Sequence, residues 1–362
     1  MGKNVGIGRN FEVPDDWIVT TIESNITDIG DGGTPDTNFQ RYFGGNIRWA
    51  KVDDIEFEIS DTKNYLTQEG LDNSSAKLWP EGSVIVTTGA TIGKVGISQE
   101  PIATKQGITG IVTNHNLESR YLAYFLISEK ETLVRFAQGG TFEEIRPHIL
   151  KRLRIPLPPL PEQRRIAEIL STVDELIQQT DSVIKETERL KRGLMQDLLT
   201  QGIGHESFQT VQIGPKTHQI PTSWEISQLG EVAKMHKGRS PMPKSDKSLF
   251  GGEINWVKIS EISKYHKVIK NTEETVTKKG AEKSRIFPKG TLVIGIYGTL
   301  GGIAILGMQS CSHEGVVGIF SLDDTVDKNY LYYFLSNENL NELGHGAVQK
   351  NLNISILMLR FF

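Results

Sequence analysis

The sequence predicts a mixed, β-rich α/β fold arranged as two homologous domains joined by a long spacer α-helix. Three observations carry this reading. One stretch of roughly 150 residues occurs twice, which matches the two domains that a chain of 362 residues accommodates. A proline-rich hinge follows the first copy, and a long, charged, amphipathic segment free of proline follows the hinge.

The repeat keeps one order throughout. Trp17 stands just after Val13 and Pro14, as Trp224 stands just after Ile220 and Pro221. Residues 45–52 return 207 positions later as 252–259, pairing Gly45 with Gly252, Ile47 with Ile254, Trp49 with Trp256 and Lys51 with Lys258. Residues 80–86 return as 288–294, the turn 90–93 as 298–301, and residues 121–126 as 330–335. Solenoid repeats run to roughly 20 to 50 residues, so this much longer period means two globular domains.

Within each copy, apolar runs such as 84–86 and 291–294 are short, β-branched and bounded by Gly or Pro, which predicts buried strands. Residues 30–35 combine Gly30, Gly32, Gly33 and Pro35 into a turn. Leu122, Phe125, Leu126, Leu133 and Phe136 recur at helical spacing, so a helix over 119–136 closes the first domain and one over 328–343 closes the second. Pro156, Pro158, Pro159 and Pro161 hold the hinge extended, and Pro161 suits the first turn of a helix, where an N–H is unpaired anyway. From 162 to 200 there is no proline and Gly193 is the lone glycine. Ile166, Ile169, Leu170, Val173, Leu176, Ile177, Val183, Ile184, Leu190 and Leu194 lie on one stripe of that helix. Such a stripe calls for another helix to cover it, from this chain or a partner. Gly202 and Gly204 end the segment, giving domains at 1–150 and 205–362 with the hinge and spacer helix at 151–204.

Composition narrows the function classes. The single Cys311 excludes an intramolecular disulfide framework, no apolar run reaches the roughly 18 residues that cross a bilayer, and the start lacks the apolar stretch of a secretory signal, so a cytoplasmic protein without membrane contact is expected. Net charge is −4, but it is unevenly spread: residues 1–150 hold 13 Lys and Arg against 21 Asp and Glu, and residues 205–362 hold 18 against 15. DNA binding by the first copy then needs a local basic patch or a basic partner. The eight histidines and one cysteine show no metal-ligand spacing, and the loop 89–95 lacks the length and the Ser or Thr of a phosphate-binding loop, so a structural turn is expected there. No catalytic residue is assigned.

The hinge and the residues after it, Glu162, Gln163, Arg164, Arg165, Ile166, Ala167, Glu168, Ile169 and Leu170, resemble the start of the spacer helix in DNA-specificity (S) subunits of type I restriction-modification systems. Residues 193–200 look like that helix's end, and the resemblance covers nearly the whole chain. It implies that each domain reads one half of a bipartite double-stranded DNA target, that the helix sets their spacing, and that the subunit itself does no chemistry. It also implies methyltransferase partner subunits that carry S-adenosylmethionine and a restriction subunit that uses ATP and Mg, with no cofactor on this chain. The family pattern has a second hinge and spacer helix; nothing after the second copy corresponds to 157–200, and residues 356–362 read as an abrupt ending. The uncovered stripe is then expected to find its mate in a homodimer or a methyltransferase subunit. A non-DNA interaction scaffold or an inactive truncated remnant is the alternative.

Two halves of an asymmetric target need different readers, so specificity residues are sought where the copies diverge. These are Arg41, Lys94, Lys105 and Gln106 in the first, and Lys237, Arg239, Lys244, Lys247 and His313 in the second. Lys51 and Lys258, shared by both copies, suit phosphate contact. Ordinary solvated charge is the competing account of each. Trp49 and Trp256, at equivalent places among apolar neighbours, are read as core.

Overall fold

The computed structural model describes residues 7–8, 12–137, 144–213, 216–265, 267–297, 302–338 and 354–358. The sequence-read turn 298–301, the last part of the expected helix 328–343 and residues 359–362 lie outside them. The chain divides into two compact units, 1–182 and 183–362.

In the first unit the strands are β1 (Ile18–Thr21), β2 (Ile26–Asp31), β3 (Phe43–Ala50), β4 (Glu58–Ile59), β5 (Tyr65–Leu66), β6 (Leu78–Trp79), β7 (Val84–Thr87), β8 (Val95–Ser98), β9 (Ile102–Thr104), β10 (Ile108–Thr113) and β11 (Arg154–Leu157). The helices are α1 (Gln68–Asp72), α2 (Ser119–Ser128), α3 (Lys130–Ala137), α4 (Pro147–Arg152) and the start of α5 (Leu160–Gln201). Five strands form one sheet in the order β2-β10-β7-β8-β4 and four form another in the order β5-β3-β9-β6. Alternation along β7 explains the layering. Val84 and Val86 pack with Leu122, Leu126 and Leu150 of the helices, while Ile85 joins Trp79, Ile102 and Ile108 on the opposite face. Gly110 is required here, because a Cβ would lie 2.2 Å from the ring of the fully buried Trp79.

The second unit repeats this plan with β14 (Lys234–Lys237), β15 (Phe250–Val257), β16 (Val268–Ile269), β17 (Thr275–Val276), β18 (Ile286–Phe287), β19 (Leu292–Gly295), β20 (Ile303–Leu306), β21 (Ser310–Ser312) and β22 (Val316–Phe320). A hairpin of β12 (Phe208–Ile213) and β13 (Lys216–Pro221) precedes them. Its sheets run β14-β22-β19-β20-β16 and β17-β15-β21-β18, strand for strand as in the first. Even the bulge recurs: Phe43 and Ile47 both oppose Leu66, and Phe250 and Ile254 both oppose Val276. Among the helices, α6 (Leu229–Val232) and α7 (Ile259–Lys264) are short, α8 (Lys278–Glu282) matches α1, and α9 (Lys328–Asn337) matches α2.

Three findings modify the sequence reading. The helix expected over 119–136 is broken at Glu129, whose carboxylate accepts from Thr132 Oγ1 at 2.7 Å and so folds back on the next turn. The spacer helix is continuous over 42 residues, roughly 63 Å at about 1.5 Å per residue. Residues 356–358, read as part of an abrupt ending, instead fall in α10 (Ile354–Met358), which packs on α6 and β14 and fully buries Leu357. Leu150 of α4 stands 207 positions earlier and is buried in the same way. Replacing Leu357 by Ala should therefore lower the second domain's stability by roughly 2–5 kcal/mol, as Leu150→Ala should for the first. An unshifted unfolding transition in the Leu357 variant would place this segment outside the core.

Candidate nucleic-acid interface

β3 and β9 run parallel, so the loops that leave them emerge at the same end of the first domain. The Lys105 N–H donates to the Ala50 carbonyl at 3.0 Å, and Lys94 Nζ donates to the Val52 carbonyl at 3.1 Å. Lys51, Lys94, Lys105 and Gln106 are brought together in this way. Lys51 lies 5.1 Å from the centre of the Trp49 ring and donates to Asn64 Oδ1 at 2.8 Å, while Lys105 and Gln106 are exposed. Half-buried Lys94 clamps one turn to another through its carbonyl bond, so it is the least available of the four. Gly93, at φ 85°, forms the turn before it. Arg41 is not in this group. It sits before β3, bonded to Glu69 of α1 at 2.6 Å, with its guanidinium 4.8 Å from the Phe39 ring.

The second domain makes the same junction through the parallel pair β15 and β21, with the His313 N–H donating to the Val257 carbonyl at 2.9 Å. An open cavity of about 580 Å³ is lined there by Lys244, Phe250, Trp256, Lys258, Glu274 and His313. Another, of about 480 Å³, is lined by Arg239, Ser240, Met242, Lys283 and Glu314. Lys258 pairs with Glu274 and lies 5.1 Å from the Trp256 ring centre, as Lys51 does over Trp49. Lys237 is bonded to the Tyr297 hydroxyl, with its ammonium 4.6 Å from that ring's centre. Lys247 is exposed on the turn Lys247–Leu249 and lines neither cavity.

Glu314 organises this surface. Burial alone would raise its carboxyl, but hydrogen bonds from the Ser240 hydroxyl and from Lys244 Nζ, at 3.1 Å, outweigh that and hold it at about 2. Burial pushes His313 below its ordinary range, and Lys244 and Lys258 act in the same sense, against the pull of Glu314. Its Nδ1 accepts the Gly315 N–H at 2.9 Å, which leaves the ring proton on Nε2, 3.3 Å from Glu314 Oε1. Ser240 and Lys283 carry no sequence signal, and Glu314, which beside His313 reads as surface loop, is not among the residues sought as readers. Glu314 was detectable, because it occupies the repeat position of Gln106. Both tryptophans are buried as expected, with one difference between them. Trp49 Nε1 donates to the Gly33 carbonyl at 3.1 Å, whereas the equivalent Arg239 carbonyl accepts from the Ser284 hydroxyl at 2.5 Å and Trp256 Nε1 has no protein partner.

The spacer helix is fastened at its start. Gln163 is fully buried: its amide donates to the Asn116 and Pro158 carbonyls at 2.9 and 2.8 Å, and its oxygen accepts the Glu118 N–H at 2.9 Å. Trp17 Nε1 donates to Glu162 at 3.0 Å and Tyr124 OH to Asp174 at 2.7 Å. Of the stripe, Ile166 packs against the first domain's core. Ile169, Leu170, Val173, Leu176, Ile177, Val183, Ile184, Leu190 and Leu194 are exposed, Leu176 at 57%, Val183 at 65% and Leu190 at 62%. The covering helix that the stripe calls for is thus not found among the described residues. No helix among them is long and apolar enough to cross a membrane.

Residues 14–189 and 221–358 match the family described as the type I restriction modification DNA specificity domain. The chain is 30% identical over 272 residues to the type I restriction enzyme MjaIX specificity subunit of Methanocaldococcus jannaschii, a match covering 72% of this chain and 61% of that protein. It is 25% identical to the MjaVIII specificity subunit of the same organism, covering 97% of this chain and 82% of the other. In fold it is similar to the S subunit of a type I restriction-modification system from M. genitalium, with a TM-score of 0.56, 17% identity, and coverage of 100% of this chain and 87% of that one. A chain from a structure addressing complex assembly and conformational transition of the type I R-M system gives a TM-score of 0.57 at 18% identity, covering 98% of this chain and 87% of that one.

The lowered Glu314 carboxyl has a consequence for stability. Folding favours its ionised form, so the contribution is complete above the ordinary value of 4.5 and is lost as the pH falls through about 2. The second domain should weaken across that window, and Glu314→Gln should remove this part of the slope. The effect is modest, because the side chain is 41% exposed and screened by solvent. Denaturant midpoints measured at several pH values, with equal slopes in both proteins, would refute it.

Proposed function

Because this chain belongs to the type I restriction modification DNA specificity family, we propose that it is the non-catalytic, sequence-reading subunit of a type I restriction-modification complex. Each domain reads one half of a bipartite double-stranded DNA target. The observation that carries this reading is the doubled junction: two homologous domains each gather basic and polar loop side chains at one end, and those side chains differ between the copies. S-adenosylmethionine, ATP and Mg then belong to the methyltransferase and restriction subunits. The acid excess of residues 1–150 favours, as a second reading, a protein partner for the first domain.

The spacer helix serves as the ruler and the docking surface. Its exposed stripe is covered by a helix of another chain, either a second copy or a methyltransferase subunit.

Selection from random duplexes at several salt concentrations should return a bipartite motif and a steep fall in affinity with salt; a scaffold that does not bind DNA would give neither. Lengthening the helix by two whole turns should change the tolerated gap and leave both half-sites intact, and a change in half-site identity would reject the ruler. Mass in solution, with and without methyltransferase subunit, should show association. A stable, monodisperse monomer in both cases would overturn the borrowed helix.

A further inference from the structure

The two domains share a backbone at the junction but not its chemistry. The Gly33 N–H donates to the Thr104 carbonyl at 2.9 Å and the Arg239 N–H to the Ser312 carbonyl at 2.8 Å, so these residues hold one place in the fold. At Gly33 a Cβ would lie 2.2 Å from the Ala76 nitrogen and 2.3 Å from the Ser75 carbonyl carbon, which leaves no room for a side chain. The second domain carries an exposed arginine at that place. In the adjoining loop Gln106 is answered by Glu314. The first domain therefore presents an amide where the second presents a guanidinium and a carboxylate on the wall of one cavity.

We infer that Arg239 and Glu314 together read one G·C base pair in the half-site of the second domain. In the major groove, guanine offers the acceptors O6 and N7, and the paired cytosine offers its N4 amino group as donor. Arginine supplies two parallel N–H donors for the guanine edge, and a carboxylate accepts from the amino group. An A·T pair would set a thymine methyl or an adenine amino group against one of them. The carboxylate is held in place, with Lys244 and, at 3.3 Å, His313 Nε2 on Oε1 and the Ser240 hydroxyl on Oε2, which keeps a lone pair for the amino group. Among the described residues no carboxylate is paired with Arg239. A phosphate would account for the guanidinium but would be repelled by the ionised carboxylate beside it. This inference rests on the DNA-reading function proposed above.

The test is duplex selection with the full chain and its Arg239→Ala, Arg239→Lys and Glu314→Gln variants. The unaltered chain should enrich a bipartite motif with a fixed G·C pair in one half-site. Arg239→Ala should lower discrimination at that pair by roughly ten- to a hundred-fold, Arg239→Lys should lower it in part, and Glu314→Gln should relax the same position. The other half-site should stay unchanged in every variant, which also reports that the protein is folded. Losses spread evenly over all sequences, an A·T pair at the affected position, or an unaltered motif would overturn the inference. No motif at all from the unaltered chain would instead reject the DNA-reading function, and this inference with it.

Discussion

Parallel pairing between strands distant in the chain is the constraint on which each candidate reader depends. β3 and β9 are separated by five strands and an α-helix, yet they lie side by side in the same direction, and so do β15 and β21. Antiparallel neighbours would send their following loops to opposite ends of the sheet; parallel ones send them to the same end. Lys51 and Lys105 meet for that reason, as do Lys258 and His313. The pairing is locked from the far side by β6 and β18, where Trp79 and Phe287 lie flat against Gly110 and Gly318. The chemistry of each junction is thus placed by buried aromatic packing on the neighbouring strand.

Much of this was legible in the residues. The tandem domains, the hinge and the long helix follow from repetition and helical periodicity, which are patterns within a chain. What was hidden depends on contacts between distant segments. Lys94 and Arg41 read as free cations, but a backbone carbonyl occupies one and Glu69 the other. Gln163 stands in the sequence only as one residue of the stretch that opens the spacer helix, and its fully buried position with three hydrogen bonds depends on segments far from it in the chain. Glu314 escaped a search for basic readers because its sign was wrong for phosphate, although its place in the repeat marked it. Leu357 was obscured by the unlike residues around it, although Leu150 stands at the matching position.

The spacer helix combines a firm root with an uncovered length. Fully burying one large aliphatic side chain contributes about 1.5–3 kcal/mol, and a whole domain is stable by only about 5–15 kcal/mol. Covering three or four of the stripe's exposed residues would therefore rival the folding free energy of either domain. An occupant of the stripe would thus add to the stability of the whole chain, quite apart from DNA.

The backbone pressed around Gly33 carries an evolutionary consequence. A codon change there meets Ser75 and Ala76 main chain, which cannot swing aside as a side chain can. Arg239, at the same place in the other domain, faces open space and tolerates exchange. A side chain at Gly33 would first need the Ser75–Ala76 backbone to move, so this one position should diversify at unequal rates in the two domains.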